Sequence, residues 1–350
     1  MPAKKVFVGM SGGVDSSVSA ALLVESGYDV TGVYMRNWSR DLPGMKCPWA
    51  DDLADAKRVA VQLGIDFRIF DFETEYREKV VQYMIDEYKA GRTPNPDIMC
   101  NQEVKFKLFH EMSMTQGADF VATGHYAQTS DGMLLRSVDE KKDQTYFLYR
   151  VSEDVLRRTV FPIGHLKKVD VRELAKKYNL KTATKKESMG ICFVGSVGIR
   201  EFLSEYVEKK YGEIRDDKSD EIVGHHDGAV FFTIGQRHGL NVGGGLPYYV
   251  TRKDIESNTI YVSTDLNNRS LWREEIKLIN SHFINKGFIL EDKEYQVRVR
   301  HQAPMVGARL SLKSGDVVVA KFSDEQRAIT AGQSIAFYDE QVCLGGGIVS

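Results

Sequence analysis

Four cysteines carry the most distinctive chemistry in this chain of 350 residues: Cys47, Cys100, Cys192 and Cys343. So few cysteines in so long a chain do not form a disulfide scaffold, and none belongs to a CxxC pair of the kind that closes a zinc site. Any chemistry they perform is therefore nucleophilic or redox chemistry. Residue type alone favours small buried core thiols. We interpret Cys47 and Cys343 in that way, with Cys343 in a final strand.

Three histidines raise the question of a metal site: His225, His226 and His238. No acidic residue or cysteine clusters with them at ligand spacing. The sequence therefore predicts no metal held by protein side chains.

A second chemical feature is the string GMSGGVDSS at Gly9–Ser17, which follows a short apolar run and opens a helical pattern. Gly12 and Gly13 let the backbone approach a ligand closely and adopt positive φ. The loop amides and the hydroxyls of Ser11 and Ser16 can then donate to phosphate oxygens, beside the positive end of the helix. The string lacks the GK[ST] ending of a Walker loop. The alternative is a glycine-rich turn that binds nothing.

Alternating strand and helix patterns over the first 130 residues would position this loop. The strand-like runs are Lys5–Met10, Asp29–Tyr34, Ile65–Phe70 and Ala118–Thr123, and the helical runs are Ser16–Ser26, Asp51–Leu63 and Glu73–Ala90. Such alternation is typical of an α/β fold with a doubly wound parallel sheet. Ligands bind such sheets at the carboxyl ends of the strands.

The pattern changes after about residue 200. Short β-like pieces follow at Ala229–Thr233, Tyr248–Val250, Tyr295–Arg300, Ala308–Leu312, Val317–Phe322 and Ser334–Tyr338. Short strands at close spacing indicate a small β-barrel or sandwich. We divide the chain into residues 1–198, a central domain at 199–277, and a C-terminal β-barrel at 278–350.

Charge is unevenly distributed along the chain. The formal net charge of −2 argues by itself against a nucleic-acid partner. Residues 141–186, however, contain 13 lysines and arginines against 5 acidic residues, so they carry +8 and the remainder carries −10. This asymmetry indicates polyanion binding or, more simply, a solvated helix face. No apolar stretch matches a signal peptide or a membrane span, so we expect a cytoplasmic protein without a membrane partner.

The SGGVDSS string resembles the SGGxDS loop of the ATP pyrophosphatase superfamily, whose members split ATP between its α and β phosphates and transfer AMP to a substrate oxygen. The resemblance implies an ATP site, with magnesium expected alongside. Its residues would be Gly9, Met10, Ser11, Gly12, Gly13, Val14, Asp15 and Ser16, with Met35 and Gly124 at later strand ends. Other members are amide-forming ligases, so the loop alone does not define the substrate.

Four further strings closely resemble bacterial tRNA 2-thiouridylases, and the resemblance runs nearly end to end. They are GRTPNPDIMCNQEVKFK at 91–107, ATGHYA at 122–127, KDQTYFLY at 142–149 and ESMGICFVG at 187–195. The resemblance implies ATP-dependent replacement of the C2 oxygen of a wobble uridine by sulfur, in tRNAs for lysine, glutamate and glutamine. Residues 1–198 would then be catalytic, and the barrel would bind tRNA.

In this family Cys192 would carry a persulfide and Cys100 would be the second thiol that completes transfer, closing a disulfide. The outer sulfur would either attack C2 directly or leave first as sulfide. Asp97 is the candidate for proton transfer near the base. A turn or helix-capping role is its alternative, and the two roles are compatible. A cysteine desulfurase or a sulfur-relay protein is the implied donor of sulfur.

The resemblance also implies a set of tRNA contacts. They are Asn95, Pro96 and Asp97 on the target base, then His125, Lys142, Asp143, Gln144, Arg300, His301 and Gln333. His125 could equally be a core histidine at a strand end. Two residues depart from the family pattern: His301 stands where tyrosine is usual, and Met189 where a small hydroxyl residue is usual. Two other functions stay open, an amide-forming ligase and a non-catalytic RNA-binding protein with a relic nucleotide pocket.

Overall fold

A computed structural model describes residues 2–41, 47–186, 198–240, 242–243, 245–313 and 315–350. Its first part contains strands β1 (Lys5–Gly9), β2 (Asp29–Arg36), β3 (Asp66–Asp71), β4 (Phe120–Thr123), β5 (Ala127–Ser130), β6 (Met133–Arg136) and β7 (Thr159–Val160). The helices of this part are α1 (Val14–Glu25), α2 (Trp49–Leu63), α3 (Glu73–Tyr76), α4 (Gln82–Lys89), α5 (Pro96–Met99), α6 (Phe109–Thr115), α7 (Glu153–Leu156) and α8 (Lys168–Lys177).

Five strands of this part form one sheet in the order β3-β2-β1-β4-β7, and every neighbouring pair is parallel. The predicted doubly wound α/β architecture is therefore confirmed. The order reverses beside β1, because the chain moves outward through β2 and β3 and then returns to β4 on the other side. In open sheets of this kind, that reversal is where ligands bind.

Two long helical segments cross this part. α3 and α4 are joined by a π-helical stretch, Arg77–Val81, which confirms the helix predicted at Glu73–Ala90. A second π-helical stretch, Cys100–Leu108, joins α5 to α6. No sequence pattern predicted this second helix. Pro96 occupies its first turn, where the missing amide hydrogen costs nothing.

The central domain contains α9 (Ile199–Leu203) and a four-stranded sheet of β8 (Gly212–Asp216), β9 (Ile222–His226), β10 (Tyr249–Asp254) and β11 (Thr259–Ser263). The β-like piece predicted at Ala229–Thr233 is wrong, since Ala229–Phe231 forms a 3-10 turn. The Asn258 side chain accepts a hydrogen bond from the Ala229 amide at 2.9 Å. The turn buries Ala229, Phe231 and Phe232, so their apolar pattern does not require a strand.

Six strands form the C-terminal barrel: β12 (Trp272–Phe283), β13 (Glu294–Arg298), β14 (Val306–Leu312), β15 (Val318–Arg327), β16 (Ser334–Asp339) and β17 (Val342–Val349). Their order is β12-β15-β14-β13-β16-β17, and pairing of β12 with β17 closes the cylinder. The expected boundary at 277/278 falls inside β12. Gly345 permits the closure, because a Cβ there would lie 2.0 Å from the His282 carbonyl oxygen.

The barrel is joined to the first part by a shared sheet. The hairpin β5–β6 extends the barrel through β17, with Leu134 opposite Cys343 and Leu135 opposite Val342. A buried apolar cluster fills this contact and includes Ala127, Leu134, Tyr146, Tyr149, Ala336, Tyr338 and Cys343. None of the helices in the described ranges is long and apolar enough to cross a membrane.

Candidate active site

The glycine-rich loop lies between the end of β1 and the start of α1, as predicted. Gly12 has φ +74°, and a Cβ there would lie 2.3 Å from the Asp52 carbonyl oxygen, so only glycine fits. The hydroxyls of Ser11 and Ser16 lie 3.3 Å apart at the mouth of the loop. α1 is 12 residues long and no side chain caps its N-terminus. Its free amides and positive end suit a phosphate group.

Asp15 lies in the first turn of α1 and is held by two partners that the sequence analysis missed. The Lys168 ammonium lies 2.7 and 2.8 Å from its two carboxylate oxygens, and the Tyr126 hydroxyl donates to Oδ1 at 3.0 Å. Lys168 belongs to the basic segment 141–186, and Tyr126 belongs to the ATGHYA string. The sequence shows both the basic segment and the ATGHYA string, but only the folded structure shows that Lys168 and Tyr126 contact Asp15.

Gly124 and Met35 lie at the carboxyl ends of β4 and β2, where the ATP interpretation expects them. A Cβ on Gly124 would lie 2.7 Å from the Ser16 backbone nitrogen, so β4 touches the first turn of α1. The Met35 Cε lies 2.9 Å from the position of a Cβ on Gly9. The structure thus brings all the predicted ATP residues to one edge of the sheet.

Cys100 lies at the start of the π-helical stretch and is 1% exposed. Asn95 caps the helix, since its side chain accepts a hydrogen bond from the Asp97 amide at 3.1 Å. Cys100 belongs to the buried apolar cluster against which Met35 packs. Cys192 and Met189 lie outside the described residues.

Asp97 is half-buried, and burial raises its pKa above the ordinary value, while the Lys105 ammonium acts in the opposite direction. Lys105 also lowers the pKa of His125, although burial has the larger effect. One ammonium therefore acts on both predicted site residues. Lys105 follows Cys100 on the same helix and was not predicted as a site residue. A carboxyl group with a raised pKa is suited to proton transfer.

His125 is buried between aromatic rings. Its ring centroid lies 5.7 Å from that of Phe106 and 6.2 Å from that of Phe161. Its Nδ1 lies 2.7 Å from the Thr123 hydroxyl, and burial lowers its pKa well below the ordinary value. Burial therefore favours the neutral form of the side chain. This setting supports the alternative of a core histidine at a strand end.

Asp143 does not present its carboxylate to solvent. Its side chain is fully buried and lies 2.7 Å from Nη1 of Arg298 on β13, whose side chain is 6% exposed. The Thr145 hydroxyl also lies within hydrogen-bonding distance of both carboxylate oxygens. In this structure Asp143 forms an ion pair between the first part and the barrel, and its contact with tRNA stays a prediction. A carboxylate beside a phosphate would also repel it.

The neighbours of Asp143 have different surroundings. Lys142 is half-exposed. Gln144 lies against Tyr126, with its side-chain oxygen accepting from the Tyr126 amide at 2.8 Å. Of the predicted tripeptide, Lys142 is therefore the residue best placed to meet a phosphate.

Arg300 and His301 follow β13 and lie beside the KDQTYFLY segment. Arg300 is exposed, and the His301 ring lies 4.4 Å from that of Phe147. Tyr146 connects this region to the Asn-Pro-Asp tripeptide. Burial raises the pKa of Tyr146, while a hydrogen bond with Asn95 and the charge of Arg300 act in the opposite direction. Predicted contacts more than 200 residues apart in sequence therefore meet around one tyrosine.

The turn containing Gln333 lies close to the same tripeptide. The Thr93 amide donates to the Ala331 carbonyl at 2.8 Å, and a Cβ on Gly332 would lie 2.9 Å from the Thr93 nitrogen. Tyr146 donates to the Ser334 carbonyl at 2.8 Å. The barrel thus packs directly on the residues that precede Asn95.

Part of the basic segment is used in structural ion pairs. Lys185 contacts Asp52 and Asp55 at 2.7 Å each, and Arg157 pairs with Asp131 and Glu153. The exposed lysines of the segment are Lys141, Lys167, Lys176, Lys177, Lys181 and Lys186. Only part of the positive charge of this segment is therefore available to bind a polyanion.

The two cysteines interpreted as structural have unreactive surroundings. Cys343 lies in β17, as predicted, and burial raises its pKa to about 12. Burial also raises the pKa of the half-buried Cys47. Within the described ranges, no group of three or more histidine, cysteine, aspartate or glutamate side chains could hold a metal ion.

Three domain families match consecutive parts of the chain. They are described as tRNA methyl transferase HUP domain at residues 4–196, tRNA methyl transferase PRC-barrel domain at 200–264, and aminomethyltransferase beta-barrel domain at 273–349.

Curated relatives match over almost the whole length. The chain is 45% identical over 350 residues to the tRNA-specific 2-thiouridylase MnmA of Listeria monocytogenes serotype 4a (strain HCC23), covering 99% of this chain and 94% of the relative. It is 46% identical over 354 residues to the protein of the same name from Bacillus subtilis (strain 168), with the same coverage. A solved 4-thiouridine synthetase–RNA complex with bound ATP is more remote, at 18% identity and TM-score 0.38, covering 52% of this chain and 43% of that chain.

Proposed function

The chain belongs to the family of tRNA-specific 2-thiouridylases, and we propose that it thiolates C2 of the wobble uridine in tRNA at the expense of ATP. The observation that carries this proposal is the meeting of three sequence-distant elements. One region is surrounded by Asn95–Cys100, the KDQTYFLY segment and the barrel turn at Gln333. Tyr126 links this region to the glycine-rich loop, because it is hydrogen-bonded to Gln144 of the segment and to Asp15 of the loop.

The first step activates the base. We propose that the loop amides and the positive end of α1 hold the phosphates of ATP, because no side chain caps that end of the helix. The uridine O2 attacks the α-phosphorus and pyrophosphate leaves, which turns O2 into part of a leaving group. Magnesium, carried with ATP, would neutralise phosphate charge.

Asp97 would accept the N3 proton of the uridine as O2 attacks. A base must be ionised to act, and burial has raised the pKa of this carboxyl toward the working range of pH. Lys105 keeps the ionised form accessible, because its charge favours the carboxylate. The environment of Asp97 therefore supports the proposed role.

The second step transfers sulfur. On the family pattern, Cys192 receives a persulfide from a cysteine desulfurase or a relay protein. The outer sulfur forms a bond to C2 and AMP leaves with the former O2. The Cys100 thiolate attacks the inner sulfur, the sulfur–sulfur bond of the persulfide breaks, and a Cys100–Cys192 disulfide remains. An external thiol reductant then restores both thiols.

The tRNA must present a base that is unstacked from the anticodon loop. Arg300 and the exposed lysines would contact the backbone, and the His301–Phe147 pair offers aromatic surface for a flipped nucleotide. The family usually has tyrosine in place of His301, and an imidazole ring can stack in the same way.

Cysteine variants test the proposal. Cys100→Ser and Cys192→Ser should each abolish formation of 2-thiouridine, since each removes one sulfur that the transfer requires. Binding of ATP should be largely unchanged. Cys47→Ser is the matched control, because Cys47 is half-buried and has no assigned role, and it should retain activity.

The readout is the 2-thiouridine content of digested tRNA by mass spectrometry after a timed reaction. Wild-type thiolation by either the Cys100 or the Cys192 variant would contradict the proposal. Equal loss in all three variants would also contradict it, because thiol removal would then act through stability alone. An amide-forming ligase would instead consume ATP without any sulfur donor.

A further inference from the structure

A buried ion pair lies at the contact between the catalytic domain and the barrel. The Asp143 carboxylate meets Arg298 at 2.7 Å, and Arg136 lies 3.7 Å from the same oxygen. Backbone amides of Ser137 and Thr145 donate to the other oxygen at 3.3 Å each. A buried carboxylate with this many partners has one fixed orientation. The loop that carries it is therefore fixed to β13 of the barrel.

The next residue transmits this position to the ATGHYA string. Gln144 donates its amide to the Tyr126 carbonyl at 2.9 Å and accepts from the Tyr126 amide through its side chain at 2.8 Å. Two hydrogen bonds between the same two residues fix both the distance and the rotation of the Tyr126 backbone. Tyr126 is 2% exposed, so surrounding atoms also restrict its ring.

The hydroxyl of Tyr126 completes the connection to the glycine-rich loop. It donates to Asp15 Oδ1 at 3.0 Å, and the Lys168 ammonium contacts the same carboxylate while lying 5.6 Å from the centre of the Tyr126 ring. Asp15 sits in the first turn of α1, where the phosphates of ATP are proposed to bind. A continuous series of polar contacts thus joins the barrel to this loop.

We propose that Tyr126 is a positioning residue through which the Asp143–Arg298 ion pair sets the orientation of Asp15, so that tRNA on the barrel and ATP on the loop bind cooperatively. The inference rests on the proposed function. Arg300 and His301, the proposed tRNA contacts, follow Arg298 by two and three residues. Docking of tRNA there would restrain β13, and the restraint would reach Asp15 through contacts that are already formed. Each ligand would then strengthen binding of the other by the same factor.

Tyr126→Phe is the test, because it removes one hydroxyl and keeps the ring. The control is Tyr149→Phe, which removes a buried hydroxyl at the same domain contact, 3.1 Å from the Ser334 hydroxyl, without a link to Asp15. For each protein we would measure the dissociation constant of α,β-methylene-ATP with magnesium, with and without saturating unmodified glutamate tRNA. Loss of one hydrogen bond to a charged group corresponds to a change of about 10-fold.

We expect tRNA to tighten analogue binding by the wild-type chain and by Tyr149→Phe. Tyr126→Phe should lose most of this tightening, about 10-fold, while its affinity for tRNA alone and its melting temperature stay close to wild type. Absence of tightening in the wild-type chain, full tightening in Tyr126→Phe, or equal loss in both variants would overturn the proposal. Thiolation by the same wild-type preparation tests the proposed function separately.

Discussion

Asp97 illustrates at the scale of one residue how surroundings prepare a side chain for chemistry. Its backbone amide is used in the cap formed by Asn95, so its position at the start of the helix is fixed. Burial favours the neutral carboxyl, and Lys105 favours the carboxylate. Because the pKa of Asp97 is raised, the protonated carboxyl stabilises the folded state, and its ionisation at neutral pH destabilises that state.

Asp97→Asn should therefore lower activity without lowering stability at pH 7. We expect the single-turnover rate of thiolation to fall by about 10²- to 10⁴-fold, the usual cost of removing a catalytic base. In the wild-type chain the rate should rise as pH increases through the raised pKa of Asp97, and the variant should lose that limb. A variant with the wild-type pH profile, or one that is inactive only because it melts earlier, would contradict this role.

Other residues show what the sequence could not reveal at this scale. Tyr126 and Lys168 contact Asp15 from 111 and 153 residues away, and nothing in local spacing predicts such pairs. Asp143 was expected on tRNA because of its motif, yet it pairs with Arg298, 155 residues later. Motif resemblance singled out the segment, while the direction of each side chain depends on which partners the fold supplies.

At the scale of elements, the phosphate site depends on how closely β4 approaches α1. A Cβ on Gly124 would meet the Ser16 nitrogen at 2.7 Å and the Asp15 carbonyl carbon at 2.8 Å. These are backbone atoms, so an added methyl group must displace the first turn of the helix. Gly124→Ala should weaken binding of α,β-methylene-ATP at least about 10-fold and cost about 1–3 kcal/mol of stability, as overpacking does.

Gly243→Ala is the matched control, because a Cβ at Gly243 meets nothing within 4 Å and its backbone does not require positive φ. It should leave both properties unchanged. Titration calorimetry and thermal unfolding of both variants would check this. Wild-type affinity for the analogue in Gly124→Ala would show that α1 is not the phosphate-binding element.

Elements with strong periodicity were predictable from the sequence. The strands and helices of the first 90 residues appear within a few positions of their predicted limits. The helix from Pro96 to Thr115 was not predicted, although a helix-capping role was considered for Asp97. Pro96 begins this helix at a position that needs no amide hydrogen.

The arrangement of the whole molecule depends on a contact between its first part and the barrel that no sequence pattern predicted. The hairpin β5–β6 is encoded in the catalytic domain but pairs with β17 near the end of the chain. The closed barrel was predicted as a class, but its attachment was not, because pairing partners more than 200 residues apart leave no local signal. This contact places Arg300, His301 and Gln333 beside Asn95, and it therefore assembles the proposed tRNA site from two domains.

Formation of 2-thiouridine by the purified chain tests the central claim most directly. The protein would be incubated with unmodified glutamate tRNA, ATP, magnesium, a cysteine desulfurase and cysteine, and the tRNA then digested and analysed by mass spectrometry. We predict 2-thiouridine at the wobble position, dependent on ATP and on the sulfur donor, with one AMP formed for each thio-nucleoside. Cleavage of ATP to AMP without any thiolated tRNA, in the presence of an active sulfur donor, would contradict the account and favour an amide-forming ligase.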